Sequence, residues 1–296
     1  MKYIEKHPII MIIVGVVGIS LSSIFVKYSS APSAVTAAYR LLWTILLMSP
    51  VTFGRREIRQ ELFHVSRRNL LLSILSGVFL AFHFTLWFES LHHTSVASST
   101  TIVCTEVIWV SLGYALFLKG RMSLRSVLAI AVTLVGSALI AFADSSAGGA
   151  HLYGDLLSLL AAITVAAYVL LGRVVRESVS TTVYTFIVYA SCAAMLLLFC
   201  LVQRNSLFGY GFSGILVGLL LAVFSTILGH SIFSWCLKYF SPSFVSASKL
   251  CEPVVAAILA GFLFGETPAA LQLAGGALIL GGVLYYSKLE REDAAD

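Results

Sequence analysis

SAVTAAYRLLWTILLMSPVTF (33–53), GRREIRQELFHVSRR (54–68) and NLLLSILSGVFLAFHFTLWFE (69–89) follow one another without a gap. The outer two are long, nearly unbroken apolar runs. Each reaches the roughly 20 residues that an α-helix needs to cross about 30 Å of hydrocarbon. Lipid offers no partner for backbone amides, so a run of this kind spans as a helix. The middle segment holds Arg55, Arg56, Arg59, Arg67 and Arg68, the mark of a loop retained on the cytoplasmic side. The three pieces read as a membrane hairpin with its basic turn inside.

The same alternation extends in both directions. Ten spans are expected near 8–29, 33–53, 69–89, 94–118, 123–142, 152–176, 181–202, 212–237, 242–264 and 268–288. Sorting the basic residues by loop parity puts Lys2, Lys6, Arg55, Arg56, Arg59, Arg67, Arg68, Lys119, Arg121, Arg125, Arg173, Arg176, Lys238, Lys288 and Arg291 on one side. Arg204 alone falls on the other, while Lys27, Arg40 and Lys249 lie within spans. Such a bias points to both termini in the cytoplasm, and the chain is expected to be a multi-pass protein of the plasma (inner) membrane. Adding or dropping one span would scramble it. The apolar run Ile9–Ser29 has no small-residue cleavage site after it and reads as a retained first span.

Composition agrees. The 296 residues are 59% hydrophobic and 11% charged, with a mean hydropathy of +0.95. A soluble domain of this length needs more charge to cover its surface. The formal charge of +5 does not indicate nucleic acid, because the basic residues flank spans. All five cysteines lie inside spans without metal-ligand spacing, and read as reduced, buried, small hydrophobes. The segment 55–68 is expected as a solvated basic loop, with a short interfacial helix touching lipid phosphate as the alternative.

Residues near 1–145 and 150–288 resemble each other at an offset of about 146. Leu134-Val135-Gly136-Ser137 answers Ile279-Leu280-Gly281-Gly282, and His83 with Trp87 answers His230 with Trp235. Each half holds five spans, an odd number, so the second half enters the membrane in the opposite sense. The fold class expected is therefore all-α: a polytopic membrane protein with ten transmembrane helices in two inverted five-helix repeats, residues 1–147 and 148–296. Inverted repeats are a transporter architecture, with the substrate site near the midplane between halves.

Ala38-Tyr39-Arg40, Thr94-Ser95-Val96-Ala97-Ser98, Cys251-Glu252-Pro253-Val254-Val255-Ala256-Ala257 and Leu263-Phe264-Gly265-Glu266 carry a family resemblance. Taken together they make the chain resemble the drug/metabolite transporter superfamily, in its ten-helix EamA-type branch. The resemblance implies a central cavity lined by spans 1–4 and 6–9, with spans 5 and 10 peripheral. In one place the chain departs from it. Relatives often carry proline in span 4, but this chain reads Thr105-Glu106-Val107-Ile108, so no kink is expected there.

Polar residues inside spans are the candidate site. A carboxylate at mid-span, as Glu106 is, costs about 2.5–3.5 kcal/mol on insertion scales. It reads as a group that binds a cation or carries a proton, against a plain interhelical hydrogen bond. Lys249 and Glu252 are three apart on one helix face and are expected to neutralise each other. Pro253 would free the Lys249 carbonyl beside them. His83 and His230, about five residues from the far ends of their spans, suit cavity lining and a proton relay. Trp87, Trp109 and Tyr168 are the aromatics placed in the cavity wall. Arg40 suits a structural tie to helix-end carbonyls, with an anionic substrate group as the alternative partner. Asp155 and Glu266 read as capping or solvated residues at outer helix ends. The glycines at 261, 265, 275, 276, 281 and 282 read as close-packing positions.

These residues lead to a secondary transporter moving a small metabolite or drug-like molecule, such as an amino acid or amine, by alternating access. Export with protons as the coupling ion is preferred, and an uncoupled facilitator of the same fold is the rival. An intramembrane enzyme is disfavoured, since no HExxH or paired intramembrane aspartates occur. A channel would need a continuous polar stripe or ring, usually built by oligomers. Walker motifs are absent. The partners implied are a small-molecule substrate, the lipid bilayer and protons, with no nucleic acid, cofactor or resident metal. Both a monomer and a homodimer fit.

Overall fold

The computed structural model describes residues 8–94, 96–120, 122–144, 152–252, 254–255, 258 and 270–293. Among the described residues the chain is helical, with no strand. Spans 2, 3, 6 and 7 are single helices, Ser33–Gly54, Arg67–His93, Leu152–Val175 and Thr181–Val202. Span 1 runs Pro8–Ser20 and Ser22–Lys27, span 5 Leu124–Asp144, and span 10 Ala270–Asp293. Span 4 is divided into Val96–Cys104 and Glu106–Phe117. Span 8 starts as an α-helix at Gly211–Leu220, widens to a π-helix over Leu221–Ser231, and ends as Ile232–Cys236. Span 9 starts as Pro242–Lys249. Among the described residues, seven helices are long and apolar enough to cross a membrane, and spans 5 and 10 contain the shorter apolar helices Leu124–Leu139 and Leu273–Leu289.

Helix starts follow local chemistry. Ser66, Ser180 and Ser241 each accept a hydrogen bond from the backbone N–H three residues on, which satisfies an otherwise orphaned donor. Pro242 occupies the first turn of span 9, where its missing N–H costs nothing. Span 7 stops at Arg204, whose φ of 56° is left-handed, while Asn205 N–H reaches back to the Cys200 carbonyl at 2.9 Å. The segment expected as a solvated basic loop contains a two-turn helix, Arg56–Phe63. It is fixed to the second half by Glu61, whose Oε1 accepts from Ser180 N–H at 2.6 Å.

Span 3 packs on spans 6 and 7, and span 8 packs on spans 1 and 2. Span 2 also meets span 7, span 4 meets spans 6 and 9, and span 5 meets span 10. Lipid supplies no hydrophobic drive between helices, so close backbone approach does the work. Gly77 is an example. A Cβ there would stand 2.4 Å from the Val188 carbonyl oxygen and 2.0 Å from Ser191 Oγ. Gly18 likewise faces the backbone of Phe224 and Leu228 at 2.7–3.0 Å. Gly282 packs close to Thr133, whereas Gly281 has open space, so its expected packing role does not hold. Large apolar side chains such as Leu46, Phe142, Leu201 and Leu284 are exposed, as befits a lipid-facing surface.

Span 4 is broken after all. Thr105 N–H bonds Ile102 O and Ile108 N–H bonds Thr105 O, both tightened to three-residue turns. Thr105 Oγ1 also donates to Ile102 O at 2.6 Å, so a threonine hydroxyl competes for a helix carbonyl without help from proline. Span 9 tightens in the same manner, where Leu250 and Cys251 bond Ala247 and Ser248. Thr105 and Cys251 differ by 146 in number, the offset of the sequence resemblance. Pro253, Gly261, Gly265 and Glu266, and the side chains of Lys27 and Ser95–Ser98, lie outside the described residues.

Candidate functional site

The break in span 4 makes Glu106 the first residue of a new helix, buried and turned inward. Its Oε1 accepts from Lys249 Nζ at 2.7 Å. Lys249 therefore pairs across the molecule with span 4 rather than with Glu252 on its own span, which corrects the sequence expectation. Two breaks aim the two residues at each other, and helical spacing alone does not register that. Lys249 Nζ also lies 5.4 Å from the Phe233 ring centroid, a second stabilising contact for a buried ammonium. Glu252 is buried as well, and its Oε1 has no hydrogen-bond partner.

Arg40 is 1% exposed, in the middle of the protein. Its Nε donates to Thr226 Oγ1 at 2.6 Å, and its guanidinium lies 4.1 Å over the Phe84 ring. No helix-end carbonyl holds it, contrary to the expected structural tie, because the π-helix of span 8 presents Thr226 instead. Nη1 and Nη2 are buried and unpartnered.

His83 and His230 face each other with ring centroids 6.4 Å apart. His83 donates Nδ1–H to the Ala161 carbonyl at 3.0 Å and stacks on Trp87 at 6.1 Å. His230 Nδ1 and Trp87 Nε1 have no partner. Span 3 continues to His93, so His83 lies deeper than the sequence reading put it. Near the span's outer end, His93 meets Glu89 at 3.2 Å and Thr94 donates to Asp155 at 2.8 Å.

These side chains surround one cavity of about 40 Å³. Its lining comes from span 1 (Ile19, Ser22), span 2 (Arg40), span 3 (His83, Trp87), span 4 (Val103, Cys104, Glu106), span 6 (Val165), span 8 (Ser225, His230) and span 9 (Lys249, Glu252). Of the nine predicted site residues, Arg40, His83, Trp87, Glu106, His230, Lys249 and Glu252 meet there. Tyr168 stands just behind, bonded to Ser234 Oγ at 2.9 Å with its ring 6.0 Å from His230. Trp109 does not reach the lining, although its Nε1 is buried without a partner. Span 7 contributes no lining residue, but Tyr189 supports the wall through Ser231 at 2.9 Å.

Sequence reasoning missed Ser22 and Ser225. Both hydroxyls are buried and unpartnered. A serine in a span usually bonds a carbonyl one turn back, and nothing in sequence tells these two from the others. The cavity thus combines free donors on Arg40 and Trp87, a free acceptor on Glu252, and groups that do either on Ser22, Ser225 and His230. Buried polar atoms of this kind are normally satisfied. Their concentration here suits a polar guest. A single water needs about 10–15 Å³ of such space, so the cavity has room for a few waters.

The EamA-like transporter family matches the chain twice, over residues 7–142 and 152–288. The chain belongs to that family. It is 25% identical over 285 residues to an uncharacterized transporter, YxxF, of Bacillus subtilis (strain 168), covering 94% of this chain and 87% of that one. A probable amino-acid metabolite efflux pump of Salmonella typhimurium is 26% identical over 237 residues, covering 75% of this chain and 79% of the pump. A solved crystal structure shares the fold, with a TM-score of 0.78 over 97% of this chain and 98% of that chain at 17% identity. The protein is a multi-pass membrane transporter of the drug/metabolite type.

Proposed function

We propose that this chain is a secondary exporter of a small polar metabolite of the amino-acid or amine type, working by alternating access in the plasma (inner) membrane. Its halves, residues 1–147 and 148–296, act as inverted repeats with both termini cytoplasmic, and protons moving inward supply the drive. The observation that carries this reading is the convergence of Arg40, His83, Glu106, His230, Lys249 and Glu252 from five spans on one buried cavity. Burying so much charge in lipid is costly, and such residues mark substrate and ion paths.

The packing supports the repeat. Replacing each span by the one five places away turns the contact of spans 3 and 6 into that of spans 8 and 1, and the contact of spans 3 and 7 into that of spans 8 and 2. Pairs 2 with 7, 4 with 9 and 5 with 10 map onto themselves. The name of the Salmonella relative supports export and an amino-acid-like cargo. A cavity holding Arg40 and Lys249 against Glu106 and Glu252 has balanced formal charge, which suits a zwitterion or a neutral polar molecule.

The test begins with a thermal-shift screen of purified protein against amino acids, amines, nucleobases and sugars. The best hit is then assayed for flux in proteoliposomes with and without a pH gradient. Saturable flux that the gradient accelerates supports the proposal. Saturable flux indifferent to the gradient leaves an uncoupled facilitator, and absence of saturable flux for every stabilising compound rejects the carrier.

A further inference from the structure

We propose that Lys249 is shared between two carboxylates, Glu106 on span 4 and Glu252 on its own span. A cationic group at Glu252, an ammonium on the substrate or a proton, then holds Lys249 on Glu106 and ties span 4 to span 9. The inference deepens the carrier reading above and rests on it for its consequence, but not for its test.

The geometry sets up the choice. Lys249 meets Glu106 at 2.7 Å, with both side chains under a tenth exposed. Glu252 follows Lys249 by three residues through turns closed by three-residue hydrogen bonds at Leu250 and Cys251. In such turns residues three apart lie over one another. Both residues line the same cavity, and Lys249, Glu106 and Arg40 all act electrostatically on Glu252. Glu252 Oε1 is nonetheless buried without a hydrogen-bond partner. One flexible ammonium therefore has two buried carboxylates within its neighbourhood and is bonded to one. Arg40 does not take its place, because Thr226 and Phe84 fix the guanidinium on span 2. The other titratable groups facing Glu252 are Cys104 on span 4, His83 on span 3 and His230 on span 8.

The consequence is directional. While Glu252 is ionised and bare, it draws Lys249 away and weakens the tie between spans 4 and 9, which belong to opposite halves. Once an ammonium or proton neutralises Glu252, Glu106 is the only partner left and the tie closes. On release, the cation leaves Glu252 and Lys249 becomes shared again. Lys249 thus acts as a tethered stand-in for the cargo's own positive charge.

The test is a double-substitution cycle, Glu106→Gln with Lys249→Met, read by thermal unfolding in detergent, in the wild-type background and in Glu252→Gln. The expected result is a stronger coupling in Glu252→Gln, where no second carboxylate competes. Ethylammonium chloride, compared with sodium chloride at equal ionic strength, is expected to raise the melting temperature of the wild type by roughly a few degrees and that of Glu252→Gln not at all. Equal coupling in both backgrounds overturns the proposal, as does a wild type indifferent to ethylammonium. If a neutralised variant does not fold, the ammonium comparison on the wild type still decides. None of these readings needs flux, so a failed transport assay and a failed relay are told apart.

Discussion

Arg40 donates from Nε to Thr226 Oγ1 across 2.6 Å, and that single bond leaves both terminal nitrogens of the guanidinium to the cavity. Thr226→Val is nearly isosteric but strands a buried charged donor, at a cost of about 1–3 kcal/mol. A lowered melting temperature is expected, with Thr226→Ser restoring most of it. Arg40→Lys keeps the charge but loses the planar fork. Binding of any carboxylate-bearing substrate should then weaken at least tenfold in the thermal-shift titration, while a neutral hit is affected less.

The two histidines separate structure from function. His83 is tied by its Nδ1–H to the Ala161 carbonyl, whereas His230 Nδ1 has no partner. His83→Phe removes one hydrogen bond to that carbonyl, which Thr164 Oγ1 still reaches at 3.0 Å, and is expected to lower stability by about 0.5–1.5 kcal/mol. His230→Phe strands nothing and should leave the melting temperature within about a degree or two of wild type. Flux in proteoliposomes should nevertheless fall in both, if the pair lines the path. A His230→Phe protein that transports at the wild-type rate would remove His230 from the site.

Class and span order were legible because hydropathy and positive charge act over whole segments, and no tertiary contact can override the cost of putting a loop in lipid. Glu106, Lys249 and Arg40 were legible for the same reason: a charge in a span advertises itself. What each one touches was not. The choice of Glu106 over Glu252 by Lys249 depends on two helix breaks, each set by a few short-range hydrogen bonds, and Thr105 carries no breaker signal of the strength of proline. The π-helix that brings Thr226 to Arg40 is not announced locally, since its sequence, LAVFSTILGHS, contains no proline or comparable breaker. Ser22 and Ser225 look like any small residue in a span until their surroundings are known.

Close packing predicts a sharp contrast between two glycines. At Gly77 a Cβ would meet the Val188 carbonyl oxygen at 2.4 Å, so Gly77→Ala must push span 3 away from span 7. Overpacking against backbone costs about 1–3 kcal/mol, and the displaced helix also carries His83. Stability and transport should both fall. Gly281→Ala meets nothing within 4 Å and removes a flexible residue from a helix interior. It should be neutral or stabilising by up to about 1 kcal/mol. Melting temperatures of the two variants, measured side by side, check the packing of the halves directly.

Topology gives the last test, and it rests on parity. Gln60 lies in the segment between spans 2 and 3, Ser206 in the one between spans 7 and 8, and both are exposed. Five spans separate them, so an odd number of crossings must place them on opposite faces. Cys104, Cys192, Cys200 and Cys236 are buried and Cys251 is partly so, which keeps background labelling low. Neither Gln60→Cys nor Ser206→Cys alters a basic residue, so the charge bias that orients the chain is preserved. In intact cells an impermeant maleimide is expected to label Ser206→Cys at once and Gln60→Cys only after permeabilisation. The reverse pattern would put the termini outside and leave the inversion intact. Labelling of both from one face would mean an even number of crossings between them, and the two halves could not then be inverted copies around the Glu106–Lys249 pair.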